Sequence, residues 1–277
     1  MLRAAEAAAP AEVVVSDDGS DDGTLRILAE EFPSVRVVRS EVRGGFSRSA
    51  NAGVAASTGR IAVLLNNDME VAQDAFALLG SALDAEKEWF AAVPSIVRAG
   101  TGREEARTRL RFRRGVVFTD IDGGERDAPA YACGGAMAFR RAEFDELGGF
   151  DPLFSPFYWE DVDLSYRARK RGRRIGFVGA ACVLHDHGRT IGARFAPGEI
   201  SRVYERNRLI FTWKNLGDAA LWRTHLALLP AKAVYDAAAH PAFLRGLLDA
   251  LRLRREIAGR RRAERLAARV PDRRLLA

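Results

Sequence analysis

The chain has 277 residues, 48% hydrophobic and 29% charged, the composition of a globular protein able to bury one large core or two modest ones. Its formal charge of +6 is uneven: residues 241–277 hold 11 Arg against 4 Asp or Glu, so the first 240 residues are close to neutral. No aromatics interleave with the tail's arginines to stack on bases, which excludes a nucleic-acid partner and leaves an anionic membrane surface or a solvated helical tail. The opening MLRAAEAAAP lacks the apolar stretch of a secretory signal, and no window approaches 18 consecutive apolar residues. Cys133 and Cys182 stand far apart without metal-ligand spacing, so buried thiols in a reducing, cytoplasmic setting are expected.

In chain order, β-rich runs at Glu12–Ser16, Val35–Arg39, Ile61–Leu65, Phe90–Val93 and Gly135–Phe139 alternate with helix-like segments, notably Asp22–Glu31, Ser47–Ser57 and Gln73–Ala85. That alternation predicts an α/β fold with a mostly parallel sheet flanked by helices. Ligands of such sheets gather at the carboxyl ends of strands, which puts Asp17–Thr24, Gly44–Ser47 and Asn66–Asp68 on one rim. Residues 98–128, rich in Arg, Gly and Glu without periodicity, read as a long variable loop. From Glu199 the chain reads as helix. Tyr204, Leu209, Phe211, Trp213, Leu221, Trp222 and Leu226 form an apolar stripe that either docks on its own domain or lies on a membrane interface.

Five short stretches carry candidate chemistry. VVVSDDGSDDGT, Val13 to Thr24, packs four aspartates and two glycines behind a strand. A calcium loop counted from Asp17 would need a bidentate Glu at its twelfth position, where Leu28 stands, so a strand end followed by helix-capping residues remains. IAVLLNNDME, Ile61 to Glu70, ends an apolar strand in oxygen ligands. Asp68, with Asn66 near it, suits either a polar turn or a divalent cation bridging a diphosphate. In FYWEDVDLSYRARKRGRRI, Glu160, Asp161 and Asp163 open a helix directly behind Phe154, Phe157, Tyr158 and Trp159. Acids are ordinary at a helix start, but aromatic desolvation also raises a carboxyl toward general-base range. Glycine-rich CGGAM, Cys133 to Met137, lets a ligand approach the backbone, and His185 in ACVLHDHGRT is either a satisfied polar group or a metal ligand.

SDDGSDDGT, GGFSRSANAG, LLNND, CGGAMAFRRAEFDELGGFD, WEDVDLSYRARKRG, LHDHG and YERNRLIFTWKN occur in the order seen in family 2 glycosyltransferases. From Glu12 to Asn215 the chain resembles that family's rhamnosyltransferase-like branch, which has the GT-A fold. The resemblance implies inverting transfer of a sugar from a nucleoside diphosphate sugar to an acceptor hydroxyl, with Mg²⁺ or Mn²⁺ as cofactor. It further implies that Asp17 contacts the nucleoside, that Asn66, Asn67 and Asp68 stand for the DxD-type motif, and that Asp68 and His185 face the metal. Asp161, with Glu160 beside it, matches the pair proposed to deprotonate the acceptor. Gly45, Asn51, Gly53, Gly134 and Gly135 match positions around the donor sugar.

Three departures accompany the resemblance. The family's opening strand and most of its first helix are not represented, which predicts an unpaired edge and an apolar seam. NND replaces Asp-x-Asp, removing one charge, and RGGF replaces an Asn-x-Gly-Phe-like element. The expected organisation is a GT-A-like domain over residues 1–198 and a basic helical C-terminal extension over 199–277. The expected acceptor is a lipid-linked or polymeric glycan, met at the inner face of the cell membrane through peripheral contact with anionic lipid. A nucleotidyltransferase is the alternative within chemistry, and a catalytically inactive GT-A-like scaffold the alternative outside it.

Overall fold

The computed structural model describes residues 1–121, 128–186 and 191–276. Helix α1 (Leu2–Ala7) precedes β1 (Val14–Asp17), α2 (Thr24–Glu31), β2 (Arg36–Arg39), α3 (Phe46–Ala56), β3 (Ile61–Leu65), β4 (Met69–Val71), α4 (Ala75–Ala85) and β5 (Trp89–Arg98). Then follow β6 (Arg109–Arg113), β7 (Val116–Asp120), β8 (Ala136–Arg140), α5 (Arg141–Glu146), a 3-10 turn over Pro152–Phe154, α6 (Glu160–Lys170) and β9 (Arg174–His185). The remainder is helical: α7 (Ile191–Arg194), α8 (Pro197–Asn215), α9 (Ala219–Ala239), α10 (Pro241–Arg252), α11 (Arg254–Ala267) and α12 (Asp272–Leu275).

The α/β architecture is as expected, but the sheet is mixed rather than mostly parallel. Its five strands run in the order β3-β8-β5-β9-β4, with β5–β9 parallel and the other three pairs antiparallel. Strands β1 and β2 form a separate parallel pair. The reason is that β8 inserts between β3 and β5 with its direction reversed, and the short β4 folds back onto the end of β9. Among the described residues β1 pairs only with β2 and β3 only with β8, so each keeps a free edge. All five residues of the apolar β3 are only half-buried.

Residues 98–121 are not the structureless loop expected from their composition. They contain the β6–β7 hairpin, turned through Arg114 and Gly115, both at positive φ. Its alternation buries Leu110 and leaves Arg109, Arg111 and Arg113 toward solvent. The rest of the expected loop, 122–127, lies outside the described residues.

Two cores hold the molecule. The first packs α4, β5, β8 and β9 around Leu79, Leu83, Phe90, Phe139 and Ile96. The second joins α6, the hairpin and the C-terminal helices around Tyr166, Leu110, Phe211, Phe243 and Leu275. Each large side chain removed from water contributes about 1.5–3 kcal/mol. The stripe expected from residue 204 onward therefore docks on its own domain through Leu209 and Phe211, both buried. It is broken at Leu216–Asp218, where the Asp218 carboxylate accepts from the backbone N–H of Ala220 and Leu221 and starts α9. Leu226, beyond that break, is exposed. Cys133 is half-buried and Cys182 exposed, so the second thiol departs from expectation. Burial, with Asp161 nearby, pushes the Cys133 thiol up to about 12, far from a reactive thiolate.

Candidate active site

The end of β3 and the loop before β8 come together through the sheet. Leu65 pairs with Ala136, and the Asn66 N–H donates to the Gly135 carbonyl at 2.8 Å. A Cβ on Gly135 would lie 2.5 Å from Met69 Cε, so a larger residue here would have to displace the Met69 side chain. One residue earlier, the Gly134 N–H donates to Asp161 Oδ2 at 2.8 Å. The two glycines thus bridge the Asn-Asn-Asp turn and the first turn of α6. Asn66 is half-buried against Gly135, and Asn67 is exposed at the tip of the turn.

Asp161 is half-buried, and its Oδ1 accepts from the Val162 N–H at 2.7 Å. Burial raises its pKa above the usual carboxylate value, and the two backbone donors from Gly134 and Val162 offset only part of the rise. Glu160 is more extreme. Burial first, and Asp161 second, push its carboxyl well above the usual range, and its Oε2 is buried with no hydrogen-bond partner among the described residues. Tyr158 and Trp159 precede the pair at φ +70 and +77, a backbone state that costs residues of this bulk about 1–3 kcal/mol each. The Asn207 amide, fully buried on α8, restrains that loop by donating to the carbonyls of Phe154, Phe157 and Tyr158 at 2.6, 2.9 and 2.8 Å.

Asp163, two residues after Asp161, has a different fate. Its carboxylate is fully buried and accepts from Arg167 Nε (2.7 Å), Lys214 Nζ (2.8 Å) and Asn215 Nδ2 (2.8 Å). Burial alone would raise its pKa, but Lys214 and Arg167 outweigh that and hold it at about 2. Lys214 also binds Asp151 at 2.7 Å, so this network ties α6 to α8.

Across the glycine bridge, β4 pairs with β9 so that Met69 faces His185, and the Asp186 N–H donates to the Asp68 carbonyl at 2.9 Å. This brings His185 Nε2 to 3.7 Å from Asp68 Oδ2. Asp68 Oδ1 is buried with no hydrogen-bond partner among the described residues. A buried, unpartnered carboxylate oxygen beside an imidazole fits a divalent cation, whose cis ligands at 2.0–2.2 Å stand about 3–4 Å apart. Among the described residues no group of three His, Cys, Asp or Glu side chains gathers as a complete cage, so further ligands would come from phosphate and water. The other ring nitrogen, Nδ1, lies 2.9 Å from Glu105 Oε2. The rest of the LHDHG motif, 187–190, lies outside the described residues.

Asp17 closes β1 in register with Arg39. It is 4% exposed, accepts from the Ser20 N–H at 3.2 Å and lies 3.8 Å from Arg39 Nε. Its neighbour Asp18 receives the N–H groups of Gly44 and Gly45 at 2.8 and 2.9 Å, pinning the RGGF loop. Gly45, at φ +78, has room for no Cβ: Pro156 would lie 2.7 Å away. The Phe46 N–H donates to Pro156 O at 2.9 Å, and its ring borders Gly134. One string of contacts therefore runs from Asp18 through Gly45 and Phe46 to Gly134, which holds Asp161, and on through Gly135 to Asn66. Asn51 stands apart from that string. Its amide donates to Phe150 O (2.8 Å) and accepts from Phe150 N–H (2.9 Å), so both polar ends are spent tying α3 to the turn after α5. Asp18, Glu105 and Asn207 were not singled out in the sequence. Asp18 and Asn207 lie inside motifs quoted above, and Glu105 lies in a stretch without a local signal.

Residues 2–148, more than half of the chain, match the family described as glycosyl transferase family 2. A Mycobacterium tuberculosis N-acetylglucosaminyl-diphospho-decaprenol L-rhamnosyltransferase is 26% identical over 223 residues, covering 66% of this chain and 69% of that protein. A pre-mycofactocin glycosyltransferase of the same species is 27% identical over 187 residues, covering 63% of this chain and 37% of that one. Among solved structures, GalNAc-T7 with UDP, GalNAc and Mn²⁺ superposes with TM-score 0.59 at 19% identity, over 83% of this chain but about half, 52%, of that one. S. aureus TarS 1–349 in complex with UDP-GlcNAc gives TM-score 0.57 at 15% identity, over 96% of this chain and 83% of that one. With the fold shared by those enzymes and the family matched over most of the sheet, this chain is a member of glycosyl transferase family 2.

Proposed function

We propose that this family 2 glycosyltransferase is an inverting enzyme that moves a sugar from a nucleoside diphosphate sugar to a hydroxyl of a lipid-linked or polymeric glycan. Supporting the donor class, the structural neighbours carry UDP-GlcNAc, UDP, or GDP-Man in their complexes. Supporting the acceptor class, the rhamnosyltransferase relative is named for a decaprenol-linked sugar. The observation that carries the reading is the Gly134–Gly135 bridge, which sets Asp161 on one side and the Asn66–Asp68 turn on the other.

Asp161 is the general base. The acceptor hydroxyl gives its proton to the Asp161 carboxylate as its oxygen bonds to the anomeric carbon, and the bond from that carbon to the diphosphate oxygen breaks on the opposite face. A half-buried carboxylate with a raised pKa is a better proton acceptor than a solvated one. Glu160, whose carboxyl burial pushes well above the usual range, resists placing a second negative charge beside the base. Asp68 and His185 would hold Mg²⁺ or Mn²⁺, which when bound supplies positive charge to the departing diphosphate; Mn²⁺ accompanies the ligands of two structural neighbours. Asp17, Gly45, Asn66 and Asn67 line the donor side, and Asn51 supports it by fixing the Phe150 turn. Residues 199–277 form the acceptor-side extension. No helix among the described residues is long and apolar enough to cross a membrane. Exposed Leu248, Leu251 and Leu266 among Arg252, Arg254, Arg255 and Arg262 suit peripheral contact with an anionic inner leaflet.

Transfer assays with a panel of UDP-, GDP- and dTDP-sugars test the reading. Asp161→Asn should lower turnover by about 10²–10⁴ while leaving nucleotide affinity intact. Undiminished turnover would rule out the base. Failure of every nucleotide to raise the unfolding temperature with Mn²⁺ would favour a non-catalytic module instead.

A further inference from the structure

We propose that Glu105 is a positioning residue of the donor site: its carboxylate accepts a hydrogen bond from the Nδ1–H of His185 and so fixes which ring nitrogen faces Asp68. The inference rests on the reading of Asp68 and His185 as cation ligands. Glu105 lies in the segment between β5 and β6, remote in sequence from every motif. It is buried, and its Oε2 is 2.9 Å from His185 Nδ1. Its placement is fixed by the backbone. The Glu105 N–H donates to Ile96 O at 2.8 Å, Glu104 bridges Val97 as a short antiparallel contact, and Arg98 pairs with His185 in the parallel ladder. The segment thus runs beside β5 and meets the last residue of β9.

A carboxylate can only accept, and a neutral imidazole has one N–H and one lone pair. In a neutral ring the 2.9 Å contact puts the hydrogen on Nδ1, and it turns Nε2 toward Asp68. At 3.7 Å, Nε2 and Asp68 Oδ2 are too far apart to hydrogen-bond. With Asp68 Oδ1 buried and without a hydrogen-bond partner among the described residues, this imidazole–carboxylate pair has the spacing of two ligands of one cation. Carboxylates behind ligating histidines set ring orientation and basicity, and losing one weakens metal affinity by about 10–100-fold.

The test combines a metal-free and a metal-bound readout on the full chain. In ¹⁵N-histidine-labelled protein, long-range ¹H–¹⁵N spectra should show His185 as the Nδ1–H tautomer, and Glu105→Ala should move it toward Nε2–H. Mn²⁺ titration followed by the electron paramagnetic resonance of the free ion should give affinity lower by about 10–100-fold in Glu105→Ala. Glu105→Gln, whose amide oxygen can still accept from Nδ1–H, should lose less, and it serves if the alanine variant does not fold. In a His185→Ala background, Glu105→Ala should cause no further loss. If wild type and His185→Ala differ in Mn²⁺ affinity but Glu105→Ala matches wild type, the positioning role is refuted and the cation reading stands. If wild type binds no Mn²⁺, the cation reading itself is refuted. An Nε2–H or doubly protonated His185 in the wild type overturns the proposal independently of metal.

Discussion

Helix α6 presents carboxylates to two regions that treat them in opposite ways. Toward the glycine bridge, Glu160 and Asp161 meet backbone N–H groups and aromatic rings but no described cation, and both carboxyls are pushed up by burial. Toward α8, Asp163 meets Lys214, Arg167 and Asn215, and its carboxyl is held at about 2. Asp272, on α12, resembles the second case: Tyr166, Lys170 and two backbone N–H groups saturate it. A carboxylate with every lone pair matched is committed to the fold. One left with unmatched oxygens, as in Glu160 and Asp68, retains capacity for a proton or a ligand.

The contrast breaks most sharply at Asp163. Asp163→Ala leaves Lys214 and Arg167 buried without their shared partner and should cost about 3–5 kcal/mol, read as a lower denaturation midpoint. Because the folded pKa lies below the ordinary 3.8, the parent's stabilisation from this group is present above pH ~4 and disappears as pH falls toward ~2. A variant as stable as the parent at neutral pH would erase the distinction between the two regions. Next in size, Asp68→Ala should weaken Mn²⁺-dependent nucleotide binding by about 10–100-fold, without the loss of stability seen at Asp163; unchanged calorimetric affinity would reject the ligand role.

Glu160→Gln should give the smallest effect, with the opposite sign. The folded carboxyl keeps its proton to higher pH than the unfolded one, so its contribution is full below the unfolded pKa and declines as pH rises through the folded value. The glutamine cannot ionise, so the variant should hold its unfolding temperature better than the parent as pH rises above the ordinary carboxyl value of 4.5. An identical pH profile would show that Glu160 is not held protonated.

How much of this was legible in the letters depended on whether the cause was local. Strand β3 matches its expected run Ile61–Leu65, because apolar β-formers stop abruptly at Asn66. The turn at Asp22–Thr24 follows from capping chemistry alone, with Asp22 accepting from both the N–H and hydroxyl of Thr24. The β6–β7 hairpin was present in the sequence as RLRFR, a turn and VVFTD, but arginine at every second position hid the period-2 signal among charges. The reversed direction of β8 was not legible, since strand composition does not record orientation. Nor were Glu105 and Asn207, whose partners lie 80 and about 50 residues away in the chain. The separation of Asp161 from Asp163 was hidden for the same reason: the cation that decides it, Lys214, sits on another helix.

The Asn207 amide gives the molecule a lever. Three carbonyls of the strained segment ahead of the reactive acids hang from one side chain on α8, a helix that also anchors the C-terminal core. Changes in the packing of that helix would reach the proposed proton acceptor without touching it, so on that reading the rate can be tuned from the outer shell of the protein.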